Sequence, residues 1–374
     1  MKFVILSGAY INAGDYLIVQ RTKELIKNKF PKCELKIYNR NEDLSDKLEE
    51  INKSDGLIIA GGPAYTAEMY PKTIKLVENL NEIKTKIYTI GVGWYGKNTT
   101  AKFMYNYKFN NKTKLLLDRI SRDSYNLACR DFYTVQSLYI NGYKNTIMTG
   151  CPAWYNLNYI NLIDFRKQSN TIKEICISDP AKKENFVSVI RLVNFLKRKY
   201  DNPKINFVLH RNEGNTYQKL IQKLKKMDVN IVDITGGYEG FEVYNNCDLH
   251  IGFRVHAHIY NLSIRNRSIL IEEDGRGAGV NSSLGLINIK AYIDKNHSTY
   301  KSNIISKIIR EIEKILFRKG KYSVNKNLIN DIDNYLNILE NNNYSHIKIA
   351  FRNMKYYYKN MEKQLDCLKK EDEK

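Results

Sequence analysis

The sequence predicts an α/β fold made of two Rossmann-like domains facing a central cleft, followed by C-terminal helices. Three observations carry this expectation. Short apolar runs alternate with longer stretches of helical spacing, the pattern of βα units wound into parallel sheets. Several of the runs end in glycine loops. A polar, irregular stretch at 155–171 splits the alternation into two series, and 374 residues are too many for one ordinary core. The expected divisions are 1–160, 172–320 and a helical extension over 321–374.

In the first series, Phe3 to Leu6 reads as a strand and Tyr16 to Phe30 as a helix. The small-residue loop between them contains Asn12, Gly14 and Asp15, with Asp15 placed to cap the helix. Glu34 to Tyr38 is a second strand. Gly56 to Ala60 is a third, ending in Gly61-Gly62-Pro63. Lys86 to Ile90 is a fourth, ending in Gly91-Val92-Gly93. Glycine at a strand end lets the backbone turn tightly or approach a ligand. Such loops on three strands point to a crevice along one sheet edge. Asn126 to Cys129 and Lys144 to Met148 complete the set, with a helix from Phe132 to Ile140 between them. Arg130-Asp131 has two readings. Asp131 caps the helix beside a surface arginine, or Arg130 faces the crevice.

The second series reads strand Glu174 to Ser178, helix Glu184 to Tyr200, strand Lys204 to His210, helix Thr216 to Met227 and strand Val229 to Asp233. His210 and Arg211 close a strand and so are expected at the cleft. Next, Asp248 to Ile251 is a short buried strand broken by Gly252, Arg254 to Ile264 has helical spacing, and Ser268 to Ile271 is again a strand. Arg254 and His256 thus fall on an exposed first helical turn, where free N–H groups and the helix dipole attract anions. A loop of Glu272, Glu273, Asp274, Gly275 and Arg276 follows, then a strand over Lys290 to Ile293 and an amphipathic helix through Ile305, Ile308, Ile309, Ile312 and Leu316. Ile347, Phe351, Met354, Tyr358, Met361, Leu365 and Leu368 form a heptad seam. It suits a helix packed on its own domain, a homodimeric coiled coil over 347–368, or a basic helix on an anionic membrane.

Composition narrows the function classes. At 43% hydrophobic and 27% charged, the chain fits a soluble globular protein. No apolar run approaches the ~20 residues of a membrane span, and Phe3 to Leu6 is a strand rather than a signal peptide. Six scattered cysteines without a C-x-x-C pair point to reduced thiols and a cytoplasmic location, with peripheral attachment to the inner membrane face left open. The formal charge of +20 is dispersed, with no arginine-rich run or RNP-like motif, which argues against nucleic acid. It suits an acidic polysaccharide, a nucleotide- or lipid-phosphate-linked sugar, or an anionic membrane. His250, His256 and His258 lack the i, i+4 spacing of a helical metal pair, so no metal is expected, and His258 reads as a core histidine. Serine-elbow, P-loop and complete dinucleotide-binding motifs are absent from the sequence.

With these residues in view, the chain resembles the polysaccharide pyruvyl transferase family over residues 1 to about 290. The resemblance rests on Asn12-x-Gly14-Asp15, Gly61-Gly62, Arg130-Asp131, Gly150-Cys151-Pro152-Ala153 and above all Gly252-Phe253-Arg254-Val255-His256. It implies a two-domain, GT-B-like frame, with the acceptor on the first domain and the donor on the second. Phosphoenolpyruvate would be the donor substrate, with no cofactor, and a sugar or lipid-linked glycan precursor the acceptor. Arg254, His256 and Arg130 would bind the donor. The chemistry needs an acid at the enol methylene and a base at a sugar hydroxyl. His256 is the candidate acid or phosphate partner and Asp15 the candidate base. Glu272, Glu273, Asp274 and Arg276 would meet the acceptor. In the alternative, a GT-B glycosyltransferase using a nucleotide sugar, they would meet a ribose. A non-enzymatic scaffold for glycan assembly is the third reading.

Overall fold

The computed structural model describes residues 1–8, 12–96, 99–167, 171–211, 214–294 and 322–369. The first sheet is parallel, with β1 (Lys2–Ser7) between β2 (Glu34–Asn39) and β3 (Gly56–Ala60), and β4 (Ile87–Ile90) beyond β3. Strands buried on both faces read as continuous apolar runs, and Phe3 to Leu6 and Leu57 to Ile59 are fully buried. A short parallel pair, β5 (Leu127–Cys129) and β6 (Thr146–Met148), extends this sheet. Val92 joins it to β4, donating to Ala128 O at 3.1 Å and accepting from Arg130 N at 2.9 Å. The spatial order is therefore 2-1-3-4-5-6.

The second sheet is also parallel, in the order β12-β11-β10-β7-β8-β9. Its strands are β7 (Glu174–Ser178), β8 (Lys204–Leu209), β9 (Asn230–Asp233), β10 (Leu249–Gly252), β11 (Arg267–Glu272) and β12 (Ile289–Lys290). In each sheet the winding reverses once, between β1 and β3 in the first and between β7 and β10 in the second. Ligands of open α/β sheets bind at the carboxyl ends of strands flanking such reversals. The helices that matter for the site follow strand ends directly: α1 (Ala13–Lys29), α5 (Phe132–Ile140), α8 (Val255–Ser263) and α9 (Gly275–Leu284), with α2 (Leu48–Asn52), α3 (Ala101–Asn106), α4 (Asn111–Ser124), α6 (Phe186–Lys199) and α7 (Gln218–Lys225) covering the sheets.

Three expectations need correction. Asn12, not Asp15, caps α1, because its side chain accepts from Gly14 N, so the helix starts earlier and Asp15 lies inside its first turn. Of the stretch over 155–171, the described residues 155–167 are not a loose linker. Tyr155, Ile160 and Phe165 are buried, and the Arg265 guanidinium donates to Leu162 O at 2.6 Å and Ile160 O at 3.3 Å. The strand expected over Lys290 to Ile293 is divided. Lys290 ends β12, whereas β13 (Tyr292–Asp294) pairs antiparallel with β14 (Tyr322–Val324). The amphipathic helix expected through Ile305 to Leu316 lies outside the described residues.

The heptad seam has an internal partner. It lies on α11 (Ser345–Asp366), which follows α10 (Leu328–Asn341). Ile347, Phe351, Met354 and Met361 are fully buried. Asn353 donates to Leu284 O in the second domain at 3.0 Å, while Asn360 and Gln364 donate to Met148 O and Thr89 O in the first at 2.9 and 3.0 Å. The helix straps both domains together. Its apolar face is covered by its own chain, which corrects the coiled-coil and membrane-lying readings of 347–368. Among the described residues no helix is long and apolar enough to cross a membrane. Phe351 packs 5.3 Å from the Phe165 ring and under the Arg265 guanidinium at 5.1 Å. Phe351→Ala is expected to cost ~3–5 kcal/mol of unfolding free energy, read from a urea titration; a loss below ~1 kcal/mol would contradict this strap.

Candidate active site

The two sheets point their carboxyl ends at each other. The cleft between them is lined by Asn12, Pro63 and Arg130 from the first domain. The second domain supplies His210, Arg254, His256, Glu272, Glu273, Asp274 and Arg276. It encloses about 600 Å3, including space open to solvent. Four helices begin here: α1 after Asn12, α5 after Asp131, α8 after Arg254 and α9 after Asp274. Each brings the positive end of its dipole, with part of its first-turn N–H groups already capped by Asn12 in α1, Asp131 in α5 and Asp274 in α9.

Arg254 is the residue before α8 rather than a member of its first turn, and it is not freely exposed. Its Nε donates to Asp179 Oδ1 at 2.8 Å and its Nη2 to Asp179 Oδ2. Asp179, at the end of β7, is fully buried and also accepts from His210 N at 3.1 Å. Burial alone would weaken the guanidinium's hold on its proton, but Asp179 raises it, so Arg254 stays charged. His256 is packed against α1 instead of standing in solvent. A Cβ on Gly14 would lie 2.1 Å from its Nδ1, so only glycine fits there. Burial, reinforced by the charges of Arg130 and Arg276, pushes the imidazole down to about 3. It is neutral at physiological pH.

Asp131 caps α5 by accepting from Thr134 N at 2.8 Å, but the arginine beside it is not a surface charge: Arg130 is buried and lines the cleft. Arg130 Nε donates to Asp131 Oδ2 at 2.9 Å, while its Nη2 is buried without a hydrogen-bond partner among the described residues. Gly93 makes room for it, since a Cβ there would sit 2.4 Å from the guanidinium carbon.

The acidic loop is largely engaged within the fold. Glu273 accepts from Ala181 N at 2.6 Å and Asn185 Nδ2 at 2.7 Å. Asp274 caps α9, accepting from Arg276 N at 3.0 Å, and holds the Arg276 guanidinium at 2.6 Å. Glu272 accepts from Asn281 Nδ2 at 3.1 Å. Asp15 stands beside the cleft rather than lining it. Burial raises its carboxyl pKa, and Arg40 and Arg276 pull it part of the way back.

The glycines divide by role. Gly14, Gly62 and Gly93 make room for His256, Arg40 and Arg130. Gly61 packs on Ile18, Gly91 on the Gly150 carbonyl and Gly252 on Ser178, so these serve turns and strand packing. His210 reaches the cleft, whereas Arg211 is exposed. His250 and His258 are buried on Ser268. Sequence reasoning missed Arg40, just past the end of β2, and Asp179, just past the end of β7. Both carried part of the signal that located Arg130, a charged residue at the carboxyl end of a strand; β7 is buried, whereas β2 is an edge strand with no buried residue.

The profile of the polysaccharide pyruvyl transferase family matches residues 12–260. A comparison with curated protein sequences finds no match. Among solved structures, one described as a UDP-N-acetylglucosamine 2-epimerase from Listeria monocytogenes is similar with a TM-score of 0.51 and 9% identity, over 94% of this chain and 90% of that one. MnaA from S. aureus, solved with UDP, gives a TM-score of 0.48 and 11% identity, over 92% and 97%. The UDP-GlcNAc 2-epimerase from Neisseria meningitidis gives 0.45 and 12%, over 90% and 100%. The architecture is that of the GT-B enzymes. Cleft, fold and profile together establish that the chain is a transferase belonging to the polysaccharide pyruvyl transferase family.

Proposed function

We propose that this cleft binds phosphoenolpyruvate and transfers its pyruvyl group, as a ketal, to a sugar of a surface-glycan precursor. The observation that carries the reading is the convergence of four helix N-termini with Arg254, Arg130 and Arg276 in a family member's cleft. A donor with one phosphate and one carboxylate needs such a set of cations and N–H groups. Asp179 uses Arg254 Nε and Nη2, leaving Nη1 for an anion, and Arg130 Nη2 awaits a partner. In this reading the neutral His256 hydrogen-bonds the phosphate. Asp15, its basicity raised by burial, takes the proton from an acceptor hydroxyl entering from the first domain. Protonation of the enol methylene makes C2 electrophilic, one sugar hydroxyl adds, phosphate leaves, and a second hydroxyl closes the ketal. An acceptor carried on lipid would bring this basic chain to the inner membrane face.

The nucleotide-sugar alternative asks the acidic loop to hold a ribose. Glu273 and Asp274 are already held by Ala181, Asn185 and Arg276, which leaves them little capacity for that role.

Two experiments test the reading. Arg254→Lys keeps a charge opposite Asp179 but loses the planar fork, and is expected to lower kcat/KM by roughly 100-fold. Arg254→Ala is a poorer probe, since stranding the buried Asp179 carboxylate costs ~3–5 kcal/mol of stability. Wild-type turnover by the Lys variant would remove Arg254 from the site. In thermal unfolding, phosphoenolpyruvate at 100 times its Kd is expected to add ~2.7 kcal/mol of stability, with nucleotide sugars adding none. The reverse result would favour glycosyl transfer.

A further inference from the structure

The proposed chemistry still lacks an acid for the enol methylene. His256, neutral at working pH, has no such proton to give. A buried series of hydrogen bonds in the second domain leads to another group. Arg254 N donates to Ser178 Oγ at 3.1 Å, and Ser178 Oγ meets His250 Nε2 at 3.0 Å. His250 Nδ1 meets Ser268 Oγ at 2.8 Å, and Ser268 Oγ meets His258 Nδ1 at 2.8 Å. The His258 ring faces Asn281, but His258 Nε2 and Asn281 Oδ1 are both buried without a hydrogen-bond partner among the described residues, so the hydrogen-bonded series ends at His258. Asn281 Nδ2 in turn donates to Glu272 Oε1 at 3.1 Å.

A backbone N–H can only donate, so Ser178 accepts from Arg254. One arrangement that satisfies every bond has Ser178 donating to His250 Nε2, His250 donating from Nδ1 to Ser268, and Ser268 donating to His258 Nδ1. Each link is consistent with two neutral imidazoles, and burial holds both rings below their ordinary range. Arg254, at the start of the series, and Glu272, held by Asn281 beyond its end, both line the cleft. The Asn281 amide does not relay protons, so the series fixes orientation and conducts nothing.

We propose that Glu272 is the proton donor of this cleft and that Asn281, backed by the His258 end of the series through Ser268, positions its carboxyl; this rests on the phosphoenolpyruvate reading. Glu272 is 5% exposed and lines the cleft. Burial pushes its carboxyl up to about 8 against the opposing pull of Asn281 and Lys290, with Asp274 adding to the rise. It enters at neutral pH as the acid. In the step, the Glu272 O–H bond breaks and its electron pair stays on the carboxylate. The C2=C3 π pair takes the proton, forming the C3–H bond. A lone pair of the first sugar hydroxyl bonds to the electron-poor C2, and its proton passes to Asp15. Phosphate departs with the C–O pair and that proton. The second hydroxyl closes on C2 and returns its proton to Glu272.

Glu272→Gln keeps the shape and loses the acid. It is expected to lower kcat roughly 1,000-fold while phosphoenolpyruvate raises the variant's Tm as much as the wild type's. Because the acid must be protonated, wild-type kcat is expected to fall as pH rises through about 8, and Glu272→Asp to retain part of the activity with the same alkaline fall. Ser268→Ala, away from the cleft, is expected to lower kcat about tenfold with KM for phosphoenolpyruvate unchanged. Wild-type kcat in Glu272→Gln, or an equal loss of donor binding, would overturn the acid assignment alone. A wild-type protein that neither binds nor turns over phosphoenolpyruvate would overturn the pyruvyl reading and this assignment with it.

Discussion

The site depends on one buried ion pair, Asp179 with Arg254. Asp179 sits where the second sheet reverses its winding, and its carboxylate gathers groups from two other strand ends: His210 N after β8 and the guanidinium after β10. A carboxylate fully removed from water is stable only when paired and hydrogen-bonded this completely. His210, held from one side by Asp179, accepts Ala13 N of α1 at 3.1 Å on the other. The same pair that aims Arg254 thereby fixes where the first domain's leading helix meets the second domain. His256, in the first turn of α8, then packs on Gly14 of α1. Domain docking and donor geometry are a single arrangement, and α11 holds it from behind.

Much of this was legible in the chain. The alternation of apolar runs located the strands of both sheets, most plainly the inner ones, because parallel strands buried on both faces cannot hide their composition, while β2 and β9 are half-exposed edges. The residues at strand ends were legible for the same reason, and Arg130, His210, Arg254 and the acidic loop all reach the cleft. What could not be read was pairing. Asp179 meets Arg254 only because β7 and β10 are neighbours, and that order is a property of the winding, not of either segment. Asp15 was misplaced as a cap because Asn12 offers an equally good side chain slightly earlier. The seam on α11 announced an apolar partner but not its identity. A period of 3.5 residues describes any helix buried along one stripe, and here the partner is the chain's own two domains.

Loose carboxylates beside an anionic donor would repel it, and the structure instead gives the carboxylates in and beside the cleft specific partners. Asp179 is paired with Arg254, Asp131 with Arg130 and Asp274 with Arg276, while Glu273 is bound to backbone and amide donors. Pairing costs each arginine part of its net attraction for an anion, yet it locks the guanidinium plane, so less side-chain entropy is lost when a ligand binds. The remaining positive potential comes from helix N-termini, which need no rearrangement and are strongest where water is excluded. Under the phosphoenolpyruvate proposal, a small dianion would fit these fixed donors where a larger ligand would have to displace the pairs. That selectivity by geometry, more than the formal charge of +20, would then be what this site contributes to choosing its donor.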